Sequence, residues 1–241
     1  MRREPIFNAP FVVVGLLTAF ALVHIIRAFL GDMEDAYVVL GLGFIPARYG
    51  PDGFDLPGGA IASVTSLVTH MFVHGDPLHL LINSAWLLAF GAPVARRIGT
   101  WRFLAFTFIC GVAGALTFLI INPGLPVPMV GASGAISGLM GGLLRFLFNA
   151  MDRGEGLIPG GGRDVPRMDL GEMLRDRRVM VTIGIWVLLN FVFSLGFGGV
   201  AEPGSIAWEA HLGGFFTGLL IFGAFDRQSE QDPERPDPTL H

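Results

Sequence analysis

Six stretches of the chain stay apolar for about twenty residues at a time: Phe11 to Leu30, Leu78 to Ile98, Phe103 to Ile121, Met129 to Phe148, Val179 to Phe197 and Ile206 to Phe225. A helix needs about 20 such residues to cross a bilayer core. Between them lie a long loop from Gly31 to Pro77, a short basic turn, and the helix-breaking run Asn122-Pro123-Gly124-Leu125-Pro126-Val127-Pro128. A glycine- and arginine-rich segment from Ala150 to Arg178, a short Gly-rich turn and a polar tail complete the chain. The pattern predicts an all-α membrane protein with an N-terminal tail at 1–10, a six-span domain at 11–226 and a disordered tail at 227–241, which is charged and Pro-rich.

Composition sharpens that picture. Of the 241 residues 52% are hydrophobic and 15% charged, and the mean hydropathy is positive, too apolar for an ordinary soluble domain. The net charge of -4 says little by itself. The one cysteine, Cys110, lies inside an apolar run, which excludes an intrachain disulfide and a cysteine-built metal site. Met1-Arg2-Arg3 precedes an apolar stretch too long for a signal-peptide core and followed by no small-residue cleavage site, so the first span is expected to be retained.

All 16 basic residues are arginine, and their placement orients the chain. With six spans, Arg2, Arg3, Arg96, Arg97, Arg102, Arg145, Arg153, Arg163, Arg167, Arg175, Arg177, Arg178, Arg227 and Arg235 all fall on one side. The opposite segments carry Asp32, Glu34, Asp35, Asp52, Asp55, Asp76 and Glu202. Both termini are therefore expected in the cytoplasm. The arginine-rich segment reads most simply as a topology determinant that touches anionic lipid.

Spans two, four and six then enter the membrane from the same, outer face. Their first turns carry His79 and Asn83, Ser133, and His211, within roughly 10 Å of each helix start at about 1.5 Å rise per residue. Polar and ionisable groups inside a membrane are costly and point to function. Ser133, framed by glycines after the Pro-rich run, is expected in the first turn of a helix starting near Met129, where the dipole and free N–H groups favour developing negative charge. A serine hydroxyl needs a base to become a nucleophile, and a neutral imidazole suits that duty. Small residues at Gly134, Gly138 and Gly142 and at Ala210, Gly214 and Gly218 recur every fourth position, which lets spans four and six approach closely. Glu209 lies about 200° around the helix from His211 and points away, so the pair reads as a Ser-His dyad. His79 and Asn83 share a helix face and, with the Ser133 amide, form a candidate oxyanion hole. His70 and His74 complete a histidine cluster in which three rings could hold zinc, but no carboxylate or cysteine is placed to complete such a set, and neither metal nor cofactor is expected.

Taken together these residues resemble the rhomboid intramembrane serine proteases: Gly131-Ala132-Ser133-Gly134 as the nucleophile motif, His70, His74, His79 and Asn83 entering span two, and Ala210-His211-Leu212-Gly213-Gly214 for the base. The resemblance covers roughly Phe11 to Phe225. It implies a compact six-transmembrane-helix bundle of rhomboid type, with a water-filled cavity opening outward. Ser133 would be the nucleophile and His211 the general base, with His79, Asn83 and the Ser133 amide as oxyanion hole. It also implies substrates that are single-span transmembrane proteins cut near the outer end of their helix; the expected setting is a bacterial inner membrane, and no nucleic-acid partner is expected.

Three positions depart from the family pattern. The first outer segment lacks the Trp-Arg pair common there; Ser137 stands where an aromatic ring often stacks on the catalytic imidazole; and Val94-Ala95-Arg96-Arg97 replaces a run in which a Glu is common. Trp208 or Phe215, at i-3 and i+4 from His211, is a candidate for the missing ring. The competing functional class is a catalytically silent relative that binds transmembrane helices, which would not need both Ser133 and His211. A transporter is disfavoured because the spans show no internal repeat and no buried acid.

Overall fold

The apolar runs become helices because nothing within them competes with the backbone, and glycine or proline ends them. The computed structural model describes residues 9–50, 56–154, 165–195 and 207–227; the expected N-terminal tail and disordered C-terminal tail lie almost wholly outside these. Helix α1 is Phe11–Ala28, α2 Asp32–Leu42 and α3 Gly59–Thr69, the last continuing into a short 3-10 turn, His70–Phe72. Next come α4 (Pro77–Trp86) and α5 (Ala92–Ile98), joined through a π-helical turn at Leu87–Gly91. They are followed by α6 (Thr100–Ile121), α7 (Ser133–Asp152), α8 (Leu170–Arg175), α9 (Arg177–Ser194) and α10 (Trp208–Phe225). The π turn ends beside Pro93, which has no N–H to donate and whose ring displaces the carbonyl one turn back.

Among the described residues, α1, α4 with α5, α6 and α7 are each long and apolar enough to cross a membrane. Helices α9 and α10 have 18 residues each, with Arg177, Arg178 and Asn190 in the first and Glu209 and His211 in the second lowering their apolarity. This is an all-α membrane protein. Two expectations are corrected here. The segment Gly31 to Pro77 is not simply a loop, since it holds α2 and α3. Span four does not start at Met129: that residue pairs with Phe44 in an antiparallel β-bridge, and α7 begins at Ser133.

Helices α6, α7 and α10 form the centre, and glycine sets their spacing. A Cβ on Gly214 would run into the carbonyl of Gly134, and one on Gly218 into that of Gly138. Gly138 in turn faces Cys110 and the Gly214 carbonyl, and Gly114 of α6 faces the carbonyl of Ala210. Here α7 and α10 run parallel, main chain against main chain, as the small-residue periodicity implies. Cys110 is fully buried and serves packing. Around this centre Phe103, Phe106, Leu139, Phe146 and Phe222 fill the core.

The end of the bundle away from Ser133 is closed by arginines. Arg97 donates from Nε to Asp226 Oδ1 and from Nη2 to Oδ2, both at 2.9 Å, with side chains only 1% and 4% exposed. Its guanidinium also reaches the Val165 carbonyl at 3.0 Å and lies 4.4 Å from the centre of the Phe146 ring. Arg145 donates to the carbonyls of Met168 and Leu219, and Arg167 to Asp226. These side chains do more than bias orientation: they tie the segment before α8 to the C-terminal end of α10. The acid that faces Arg97 is Asp226, far along the chain, not a neighbouring Glu.

Candidate active site

The turn before Ser133 is held from three directions. Phe44 and Met129 exchange backbone hydrogen bonds at 3.0 and 2.8 Å, the Gly131 N–H donates to the His70 carbonyl at 2.9 Å, and His70 Nδ1 bonds the Ser66 carbonyl at 2.8 Å. Gly131 has φ +112, a conformation that favours glycine. Ser133 is then the first residue of α7, and no side chain caps that helix start.

His211 lies in the first turns of α10. Its Nε2 stands 2.8 Å from Ser133 Oγ, although the two residues are 78 positions apart in sequence. Both are partly exposed, so the pair lies at the bundle's surface end and not in its sealed core. Glu209 points away from it, accepting from Asn122 Nδ2 at 3.0 Å.

His79 is positioned by the start of α4. Asp76 caps that helix, its Oδ1 accepting the His79 N–H at 2.9 Å, and Pro77 occupies the first turn where its missing N–H costs nothing. The Gly75 N–H approaches His79 Nδ1 at 3.4 Å. With Nδ1 accepting, Nε2 carries the proton, and Nε2 is the ring atom nearest Gly131. Asn83 is buried one turn deeper, and its Nδ2 donates to the His79 carbonyl at 2.9 Å, which uses one of its two amide protons. Among the described residues no hydrogen bond joins His79 or Asn83 to Ser133; the structure places His79 beside the turn that delivers the serine, and Asn83 behind it.

The remaining histidines hold the surroundings. His74 packs edge-on to His79, ring centres 5.2 Å apart, and its carbonyl accepts from Arg27 Nη1 at 2.6 Å. Arg27 also pairs with Asp35 at 2.7 Å. Arg48 donates to the carbonyls of Leu40, Pro57 and Gly59, anchoring the first outer segment without a tryptophan.

Neither candidate ring stacks on His211. Phe215 is fully buried against Trp186, centres 4.2 Å apart, and Trp208 meets Phe191 edge-on. The imidazole is approached instead by a residue that sequence reasoning passed over: Asn190 of α9, whose Oδ1 lies 2.7 Å from His211 Nδ1. The available signal was a lone amide within the apolar stretch Val179 to Phe197.

Comparison with known proteins places this chain in a family. The profile of the rhomboid domain matches residues 62–227. Rhomboid-like protease 3 of Toxoplasma gondii is 26% identical over 168 residues, 70% of this chain and 54% of the relative. Rhomboid protease GluP of Bacillus subtilis (strain 168) is 27% identical over 159 residues, covering 66% and 25% respectively. Rhomboid protease GlpG of Yersinia pestis (strain Pestoides F) is 28% identical over 157 residues, covering 64% and 45%. The matched region thus spans about half or less of each of these relatives. The chain belongs to the rhomboid family.

Proposed function

We propose that this rhomboid-family chain is an intramembrane serine endopeptidase, with Ser133 as nucleophile and His211 as general base. The observation that carries this reading is the 2.8 Å approach of His211 Nε2 to Ser133 Oγ across two helices. That is hydrogen-bond reach for removing the hydroxyl proton. As Oγ attacks the scissile carbonyl carbon, its proton passes to Nε2 and the carbonyl oxygen becomes an oxyanion. The Ser133 amide at the start of α7, the His79 Nε2–H and the Asn83 amide are assigned to that charge, aided by the positive end of the helix dipole. Collapse of the intermediate breaks the C–N bond, and the imidazolium returns the proton to the leaving amine. Water then hydrolyses the acyl-enzyme by the same route.

The substrates are single-span transmembrane proteins, cut near the outer end of their helix. Their peptide bonds are shielded while helical, so glycine, proline or polar residues that ease local unwinding mark susceptible sites. The chain is assigned to a bacterial cell membrane, and its arginine distribution supports cytoplasmic termini and a site opening outward.

The test is incubation with a panel of single-span membrane proteins, together with fluorophosphonate labelling. Wild type is expected to cleave and to label, and both activities should disappear in Ser133→Ala and cleavage in His211→Ala. Cleavage that survives Ser133→Ala, or wild-type protein that never labels in any detergent, overturns the proposal in favour of a helix-binding relative.

A further inference from the structure

We infer that Asn190 is the positioning residue that fixes the tautomer of His211, an inference that rests on the reading of His211 as base. An amide side chain has a donor end and an acceptor end, and here the hydrogen bonds assign them. Asn190 Nδ2 donates to the Trp186 carbonyl at 2.9 Å, one turn earlier on α9. The end turned to His211 is therefore Oδ1, 2.7 Å from Nδ1. A carbonyl oxygen only accepts, so the proton of the neutral imidazole resides on Nδ1. Nε2 is left with its lone pair directed at Ser133 Oγ, 2.8 Å away.

The opposite tautomer would present an N–H to the serine hydroxyl and could not take its proton. The four groups form one directed chain, Ser133 Oγ–H to His211 Nε2 and His211 Nδ1–H to Asn190 Oδ1, with Asn190 Nδ2–H secured on Trp186. During attack the serine proton moves to Nε2 and Nδ1 keeps its own; Asn190 gains and loses none. A neutral amide orients the ring without adding the charge that a carboxylate would contribute.

The amide is itself held in place. Trp186, whose carbonyl anchors it, lies nearly parallel to Phe215 at an interplanar angle of 19° and a centre separation of 4.2 Å. Phe215 is one turn beyond His211 on α10, so ring stacking and the amide bond join α9 to α10 at successive levels. This arrangement takes over the orienting duty that a ring at position 137 cannot perform, since Ser137 is there.

Of the titratable groups around the imidazole, His79 of α4 interacts with His211, while Glu209 of α10 is held by Asn122 and points away. The direct test is made on wild-type protein: nitrogen-15 NMR of the His211 ring is expected to show the neutral form protonated at Nδ1, and protonation at Nε2 overturns the inference. Kinetics supply the second arm. Asn190→Ala is expected to lower kcat by about 10²-fold with KM changed less than about twofold. Asn190→Asp keeps an acceptor and adds charge, so it should retain more activity than Asn190→Ala and move the acidic limb of the pH–rate profile upward by about one pH unit or more. An unchanged kcat in Asn190→Ala, or an unmoved limb in folded Asn190→Asp, counts against it. Ser133→Ala and His211→Ala report separately on the nucleophile and base, so loss of that reading is distinguishable from loss of this one.

Discussion

A Cβ built on Gly131 would lie 2.6 Å from His79 Nε2 and 2.8 Å from Cε1. The backbone that delivers the proposed nucleophile and the imidazole assigned to the oxyanion are thus in direct contact, and only glycine leaves room for that ring. Gly131→Ala forces a residue with a side chain into φ +112, at a cost of about 1–3 kcal/mol, and pushes His79 aside. The expected result is a folded protein whose kcat falls by about tenfold or more, since a displacement of about 1 Å at a reacting centre can cost 10²-fold. Melting temperature in detergent and peptide cleavage, measured on the same preparation, separate the two effects.

His79→Ala and Asn83→Ala each remove a donor from the proposed oxyanion hole. Loss of one such donor typically lowers kcat by about 10²–10³-fold with little change in KM. If either variant turned over at the wild-type rate, that residue would have to be withdrawn from the hole.

Acidity should switch the proposed cleavage off through one group. The proposed base, His211, can take a proton only when neutral, so activity is expected to rise with pH along a single-proton curve and to fall on acidification, when the imidazolium can no longer accept from Ser133. A rate that does not fall as the pH is lowered to the point where the protein unfolds would contradict general-base catalysis by His211.

The glycine seam is a stability determinant. Gly218→Val puts a branched side chain against the carbonyl of Gly138, and overpacking of this kind costs typically about 1–3 kcal/mol. Thermal unfolding in detergent should shift down, with activity lost alongside. A lipid-facing control, Leu220→Val, lies on an exposed position of the same helix and should leave both nearly unchanged.

The charged closure at the opposite end carries a sharper prediction. Arg97→Ala leaves Asp226 buried with Arg167 as its remaining ion-pair partner among the described residues, and breaking a buried pair from one side costs about 3–5 kcal/mol. The double variant Arg97→Met with Asp226→Leu should unfold later than Arg97→Ala, because neither charge is then stranded. Equal melting temperatures for the two would argue against a buried pair.

Legibility in the sequence follows the range of the physics. Helices α1, α6, α7 and α10 can be read from apolar length, and the close approach of α7 to α10 from glycine spacing, because both signals are local. Helices α2 and α3 escape such a reading: each has 11 residues, too few to register as a span. Ser133, His79, Asn83 and His211 are marked by being polar where polarity is expensive. Asn190 was equally polar but had no companion at helical spacing, and its partner lies on another helix. Nor does sequence reveal that Arg97 faces Asp226, 129 positions away; an arginine beside a turn looks like any other topology signal until the chain closes on it.

The helix spacing beneath the hydroxyl and imidazole is set by peptide groups touching peptide groups along α7 and α10, at Gly134–Gly214 and Gly138–Gly218, with no side-chain rotamer interposed. Such a spacing has no torsion to adjust when acyl chains lengthen or the bilayer thins. The chemical step should therefore vary little among lipids of different thickness, and any strong lipid dependence of turnover should arise where the substrate docks.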